Sequence, residues 1–78
     1  MNEMNKLFEI VDSDKYGPIL TVLDLNLADE FDDFLNEDCF VLTQIKFFDQ
    51  FVKFYFGQAA CVEKIDLLVG KFTDRQYN

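Results

Sequence analysis

The stretch 39–56, CFVLTQIKFFDQFVKFYF, constrains this chain more than any other. Seven of its eighteen residues are Phe or Tyr, and only Lys46, Asp49 and Lys53 are charged. In a chain of 78 residues, burying such a run is the main apolar driving force available. A stable fold must place it at the centre.

Two structures compete for it. With Asp49-Gln50 as a two-residue turn, the cross-strand partners are Phe48 with Phe51, Phe47 with Val52, Lys46 with Lys53, and Ile45 with Phe54. Alternation then puts Val41, Thr43, Ile45, Phe47, Val52, Phe54 and Phe56 on one apolar face. The other face carries Leu42, Gln44, Lys46, Phe48, Phe51, Lys53 and Tyr55. Against this hairpin, the turn lacks the Gly of a type I′ turn, and two lysines stand opposite each other. The rival is a helix, in which Lys46, Asp49, Gln50 and Lys53 recur at helical spacing and Gly57 caps the end. The dominance of aromatic and β-branched residues favours the hairpin.

The rest of the chain reads in order around it. Residues 6–11, KLFEIV, fit a short strand, although Met4, Leu7, Phe8 and Val11 also fit a helical face. DSDKYGP, residues 12–18, is a loop. Residues 19–25, ILTVLDL, form the better strand, and the two strands predict a hairpin with a loose connection. Asn26 is a candidate N-cap for a helix over 27–37, with Asp29 at its third position and an apolar stripe of Leu27, Phe31, Phe34 and Leu35. A second helix over 58–71 would bury Val62, Ile65, Leu68, Val69 and Phe72, and the final TDRQYN reads as a frayed tail. The expected fold is α+β, in the order ββαββα: a four-stranded antiparallel sheet with both helices on one face. The alternative is a small all-α bundle. Residues 1–78 make one domain.

Composition removes most chemistry. The chain contains no His, the commonest general base and a frequent metal ligand. Cys39 and Cys61 match no zinc spacing, lack an activating His, and are expected to be buried, reduced thiols of a cytoplasmic protein. The scattered glycines write no phosphate-cradling loop. The run from Asp12 to Gly17 resembles the start of a calcium loop, but Tyr16 and Leu23 occupy two ligand positions, so a turn is the expected reading. No catalytic residue, cofactor or metal is expected, and the chain is not read as an enzyme. No leader is expected from MNEMNKLF, and charges interrupt every apolar run before it reaches membrane-spanning length.

Charge is the remaining signal. Fifteen carboxylates against seven basic residues give a net charge of −8, which disfavours direct contact with nucleic acid or an anionic membrane and favours a cationic partner. No basic residue stands between Lys15 and Lys46, while that interval holds Asp24, Asp29, Glu30, Asp32, Asp33, Glu37 and Asp38. Like-charge neighbours on a helix lie about 5–6 Å apart and cost roughly 0.2–0.5 kcal/mol per pair, so fold stability alone would favour a Lys among them. That spacing is also within side-chain reach of successive phosphates on a nucleic-acid strand. Acidic residues in a first helical turn are favoured by the macrodipole, and a solvated face is ordinary. Glu37 and Asp38, at the C-terminal end, have no such excuse. The second candidate surface is the outer hairpin face, where Leu42, Phe48, Phe51 and Tyr55 form an aromatic patch suited to a partner or a homodimer.

The expected function is a small acidic binding protein whose helix face occupies a basic, nucleic-acid-binding site on another protein. In size and charge, not in any motif, the chain resembles the DNA-mimicking inhibitors of phages and mobile elements, such as anti-restriction and anti-CRISPR proteins. An antitoxin or immunity protein that neutralises a cationic toxin is the alternative. A homodimeric accessory protein whose charge serves solubility is a third.

Overall fold

The computed structural model describes residues 6–77, the side chains of 75–77 excepted. Met4 of the helical alternative and Asn78 of the expected tail therefore lie outside it. The order is β1 (Phe8–Ser13), β2 (Gly17–Val22), α1 (Leu25–Phe34), β3 (Gln44–Phe47), β4 (Val52–Tyr55) and α2 (Val62–Tyr77). A π-helical turn, Leu35–Cys39, prolongs α1. The four strands form one antiparallel sheet in the order β1-β2-β4-β3. The ββαββα reading holds, and the helical bundle does not.

The central hairpin has the register expected from alternation: Ile45 pairs with Phe54, Lys46 with Lys53, and Phe47 with Val52. The Phe48 N–H donates to the Phe51 carbonyl at 2.9 Å and closes the turn. The Phe48 and Phe51 rings stack at 4.6 Å. Each of the opposed lysines lies over an aromatic ring. Lys46 Nζ lies 5.5 Å from the Tyr55 centroid, and Lys53 Nζ lies 5.8 Å from that of Phe48. Cation–π attraction thus offsets part of the expected repulsion.

One face of the sheet is the core. Leu20, Val22, Val52 and Phe54 are fully buried there, with Phe8 and Ile10 of β1 at its margin. Both helices pack on this face. Phe31 of α1 meets Phe54 at 5.4 Å, Phe8 at 5.5 Å and Phe72 of α2 at 5.2 Å, all edge to face. From α2, Ile65, Val69 and Phe72 are buried. The buried Thr73 hydroxyl is satisfied by donating to the Gly70 carbonyl at 3.0 Å.

Several boundaries differ from expectation, each for a local reason. The β1–β2 connection is a tight turn, not a loose one, because Gly17 adopts φ 77° and the ladder runs on to Ser13 opposite Gly17. β2 ends at Val22, and Asp24, not Asn26, caps α1. Asp24 Oδ1 accepts from the Leu27 N–H at 2.8 Å. α2 starts at Val62, not at Gln58, because Gln58 is used elsewhere. Its Nε2 donates to the Lys15 carbonyl at 2.6 Å, tying the first turn to the end of β4. α2 also continues through most of the expected tail, as far as Tyr77. Cys39 and Cys61 are free and half-buried, not fully buried. Phe47 points toward the core side by alternation yet is 75% exposed. The helices lie over β1, β2 and β4 and leave the outermost strand projecting beyond them.

Candidate functional site

The acidic surface is built on α1. Leu27, Ala28, Phe31, Phe34 and Leu35 turn inward, so helical geometry sends Asp29 and Asp33 to the middle of the opposite face, with Glu30 and Asp32 on its flanks. The π-helical turn carries Glu37 and Asp38 at the C-terminal end of the same rod. Asp29, Glu30, Asp33, Glu37 and Asp38 are exposed. Among the described residues, Asp29, Glu30, Asp33 and Glu37 make no ion pair or side-chain hydrogen bond. Asp32 is half-buried and accepts from Asn36 Nδ2 at 3.0 Å. Asp24 stands apart from the others. It is exposed, but its carboxylate is engaged as the N-cap, so it has a structural role.

From Asp29 to Glu37 the rod spans about 12 Å at 1.5 Å per residue. A line of carboxylates of that length can present several acceptor oxygens to Arg or Lys at once. It is ill suited to an ion of high charge density: no group of three or more potential ligands is placed to hold a metal among the described residues.

The second surface lies on the opposite layer, the sheet face without helices. Register brings together Glu9, Thr21, Lys53 and Lys46 in one row and Val11, Ile19, Tyr55 and Gln44 in the next. Tyr16 adds its ring 5.9 Å from that of Tyr55. At this corner Lys15, Tyr16, Gln44, Tyr55 and Gln58 line an open groove of about 480 Å³. Of the four apolar residues expected on this face, Leu42 and Phe48 are exposed, while Phe51 and Tyr55 are half-buried, each with a lysine ammonium over its ring. The acidic and aromatic candidates therefore do not form one site. They occupy opposite sides of the molecule, and the sheet face bears Lys46 and Lys53.

Sequence reasoning missed two exposed aromatics. Phe40 is 84% exposed and has φ 55°, a left-handed backbone that a bulky L-residue rarely adopts. It caps the π-helical turn by donating its N–H to the Leu35 carbonyl. Nothing local in the sequence marks that conformation. Parity directs Phe47 inward, and its place on the outermost strand exposes it. No protein-family model, curated protein or solved structure matches this chain. Among the described residues, no helix is long and apolar enough to cross a membrane.

Proposed function

We propose that this chain is a small cytoplasmic binding protein whose α1 face stands in for nucleic-acid phosphates. It would block a basic, nucleic-acid-binding site on another protein, as phage- and mobile-element-encoded anti-restriction and anti-CRISPR inhibitors do. The observation that carries this reading is the carboxylate row of Asp29, Glu30, Asp33 and Glu37, unpartnered among the described residues. Each like-charge pair in it costs stability, and no basic residue stands between Lys15 and Lys46 to offset it along the helix. A cationic partner supplies the missing counter-charge and gains both encounter rate and specificity from the row.

A second reading has its own support. The nearly complete exposure of Phe40 and Leu42 suits an antitoxin or immunity protein that grips a cationic toxin through mixed acidic and aromatic contacts. The partner, captured from the native host and identified by mass spectrometry, separates the two. Titration of that partner should weaken as salt rises, and duplex DNA should displace the chain. Simultaneous binding of DNA and this chain to the partner rules out the phosphate mimic. So does tight binding of nucleic acid by the chain itself.

A further inference from the structure

Among the described residues, the outermost strand, β3, has a hydrogen-bonded neighbour only on its β4 side. Because the Phe48 N–H bonds to the Phe51 carbonyl, alternation assigns the backbone groups of Gln44, Lys46 and Phe48 to β4. Ile45 and Phe47 therefore direct their N–H and C=O groups away from the sheet. No turn, loop or cap bond takes them among the described residues.

Native edges are usually blunted by prolines, bulges, outward charges or a covering element. β3 contains no proline and its register is unbroken, and although Ile45 packs against the core, Phe47 beside it is left exposed. Lys46, its one charge, leans back over Tyr55. Flanking the edge are Leu42 and Phe47, exposed at 87% and 75%, and Phe48 at 42%. From Cys39 to Phe48 there is no carboxylate, in a chain of net charge −8. Along this segment a second copy meets no carboxylate to repel it.

We propose that two copies of this chain pair antiparallel along β3, about a two-fold axis at Ile45, so that their two sheets become one. Residues directly opposite in such a pair share a face, which restricts the register. With Ile45 opposite its mate, Thr43 faces Phe47 of the second copy, Gln44 faces Lys46, and Leu42 faces Phe48. Every apolar side chain at the edge gains a neighbour, and each lysine meets a neutral amide. A shift of two residues one way sets Lys46 against Lys46, a like-charge pair. The opposite shift sets Lys46 against Leu42 and drives the pairing through Phe40, whose left-handed backbone ends the extended segment. Covering Leu42, Phe47 and Phe48 completely on both copies would remove at most on the order of 800 Å², below the ~1,200–2,000 Å² total of a standard interface, so the pair is expected to be a weak, concentration-dependent one. The inference is independent of what α1 binds.

Sedimentation analysis of the full chain across concentration tests it. The wild type should reach twice its 9.2 kDa mass. Because net repulsion opposes pairing, the dimer should tighten as salt rises. Phe47→Pro removes an outward N–H that β4 does not use, and should leave a monomer with an unchanged circular dichroism spectrum. Gln44→Glu places a carboxylate against Lys46 of the second copy twice per dimer and should tighten the dissociation constant about 2- to 30-fold. Gln44→Lys should loosen it by a similar factor. If Phe47→Pro unfolds the hairpin, the Gln44 variants decide alone. A chain that stays monomeric at its highest soluble concentration overturns the proposal. It also fails if a folded Phe47→Pro still dimerises, or if the two Gln44 variants shift the constant in the same direction.

Discussion

Asp33→Lys should strengthen the fold and weaken the function. Asp33 is exposed and without an ion pair or side-chain hydrogen bond among the described residues. Its helical neighbours are Asp29 four residues before, Glu30 three before and Glu37 four after. The substitution converts three like-charge pairs into opposite-charge pairs, two of them with the acid N-terminal to the lysine, the preferred orientation. At roughly 0.2–0.5 kcal/mol for each sign of pair, the three together give about 1–3 kcal/mol before screening, and about 1–2 kcal/mol at physiological salt. For a domain of this size that is a rise in Tm of ~4–15 °C, measured by thermal melts at low and moderate salt. The rise should shrink as salt increases. Binding of the captured partner should fall several-fold to a hundred-fold, about 1–3 kcal/mol, if Asp33 meets a basic side chain there. A lowered Tm would show that Asp33 already has a stabilising partner in the fold. Unchanged binding would reduce the carboxylate row to a solvated face. Only the opposed movement of Tm and affinity supports the phosphate mimic.

The hairpin was the most legible part of the fold. Its alternation admits one register for a turn at Asp49-Gln50, and a slip by one residue would have turned Phe54 and Val52 outward. What the alternation could not say was how Lys46 and Lys53 tolerate each other, since that depends on rings reached through space. The α1 cap was ambiguous because Asp24 and Asn26 are both good caps. The choice fell to where β2 ends, at Val22, which leaves Asp24 immediately before the first helical residue. The start of α2 was illegible for a longer-range reason: Gln58 is held by a carbonyl 43 residues away.

The site was legible in its charges and not in its geometry. The interval without a basic residue did produce an acidic helix face, because the apolar stripe of α1 leaves its carboxylates nowhere but outward. Their separation from the hairpin aromatics follows from layering. Helices that cover one sheet face put α1 on one side of the molecule and the row of Lys46 and Lys53 on the other. Any partner large enough to contact both must wrap an edge of the sheet, and β3, with Phe40 and Leu42 leading into it, is the apolar one.

The remaining predictions separate structural from binding roles. Asp24→Ala should cost about 0.5–2 kcal/mol in denaturant unfolding, and Asp24→Asn much less, because Asn retains the capping oxygen. Equal losses would deny the cap. Gly17→Ala should cost more than the ~1 kcal/mol usual for a strained φ, since its Cβ would also collide with the backbone of Gly57 and Gln58. A neutral result would mean that the first turn does not dock there. The last concerns Phe40, whose ring is too exposed to contribute much packing. A left-handed backbone costs an L-residue about 1–2 kcal/mol, and a glycine there gives back about 0.4–1 kcal/mol through the entropy of the unfolded chain. Phe40→Gly should therefore leave stability unchanged or raise it by up to ~1.6 kcal/mol. A chain that keeps a strained, solvent-facing aromatic against that gradient is keeping it for a contact, so the same variant should lose affinity for the partner or for a second copy. Chemical denaturation and the two binding assays read both halves. A clear loss of stability would place the Phe40 ring in the fold, and unchanged affinity in both assays would remove its claim to an interface.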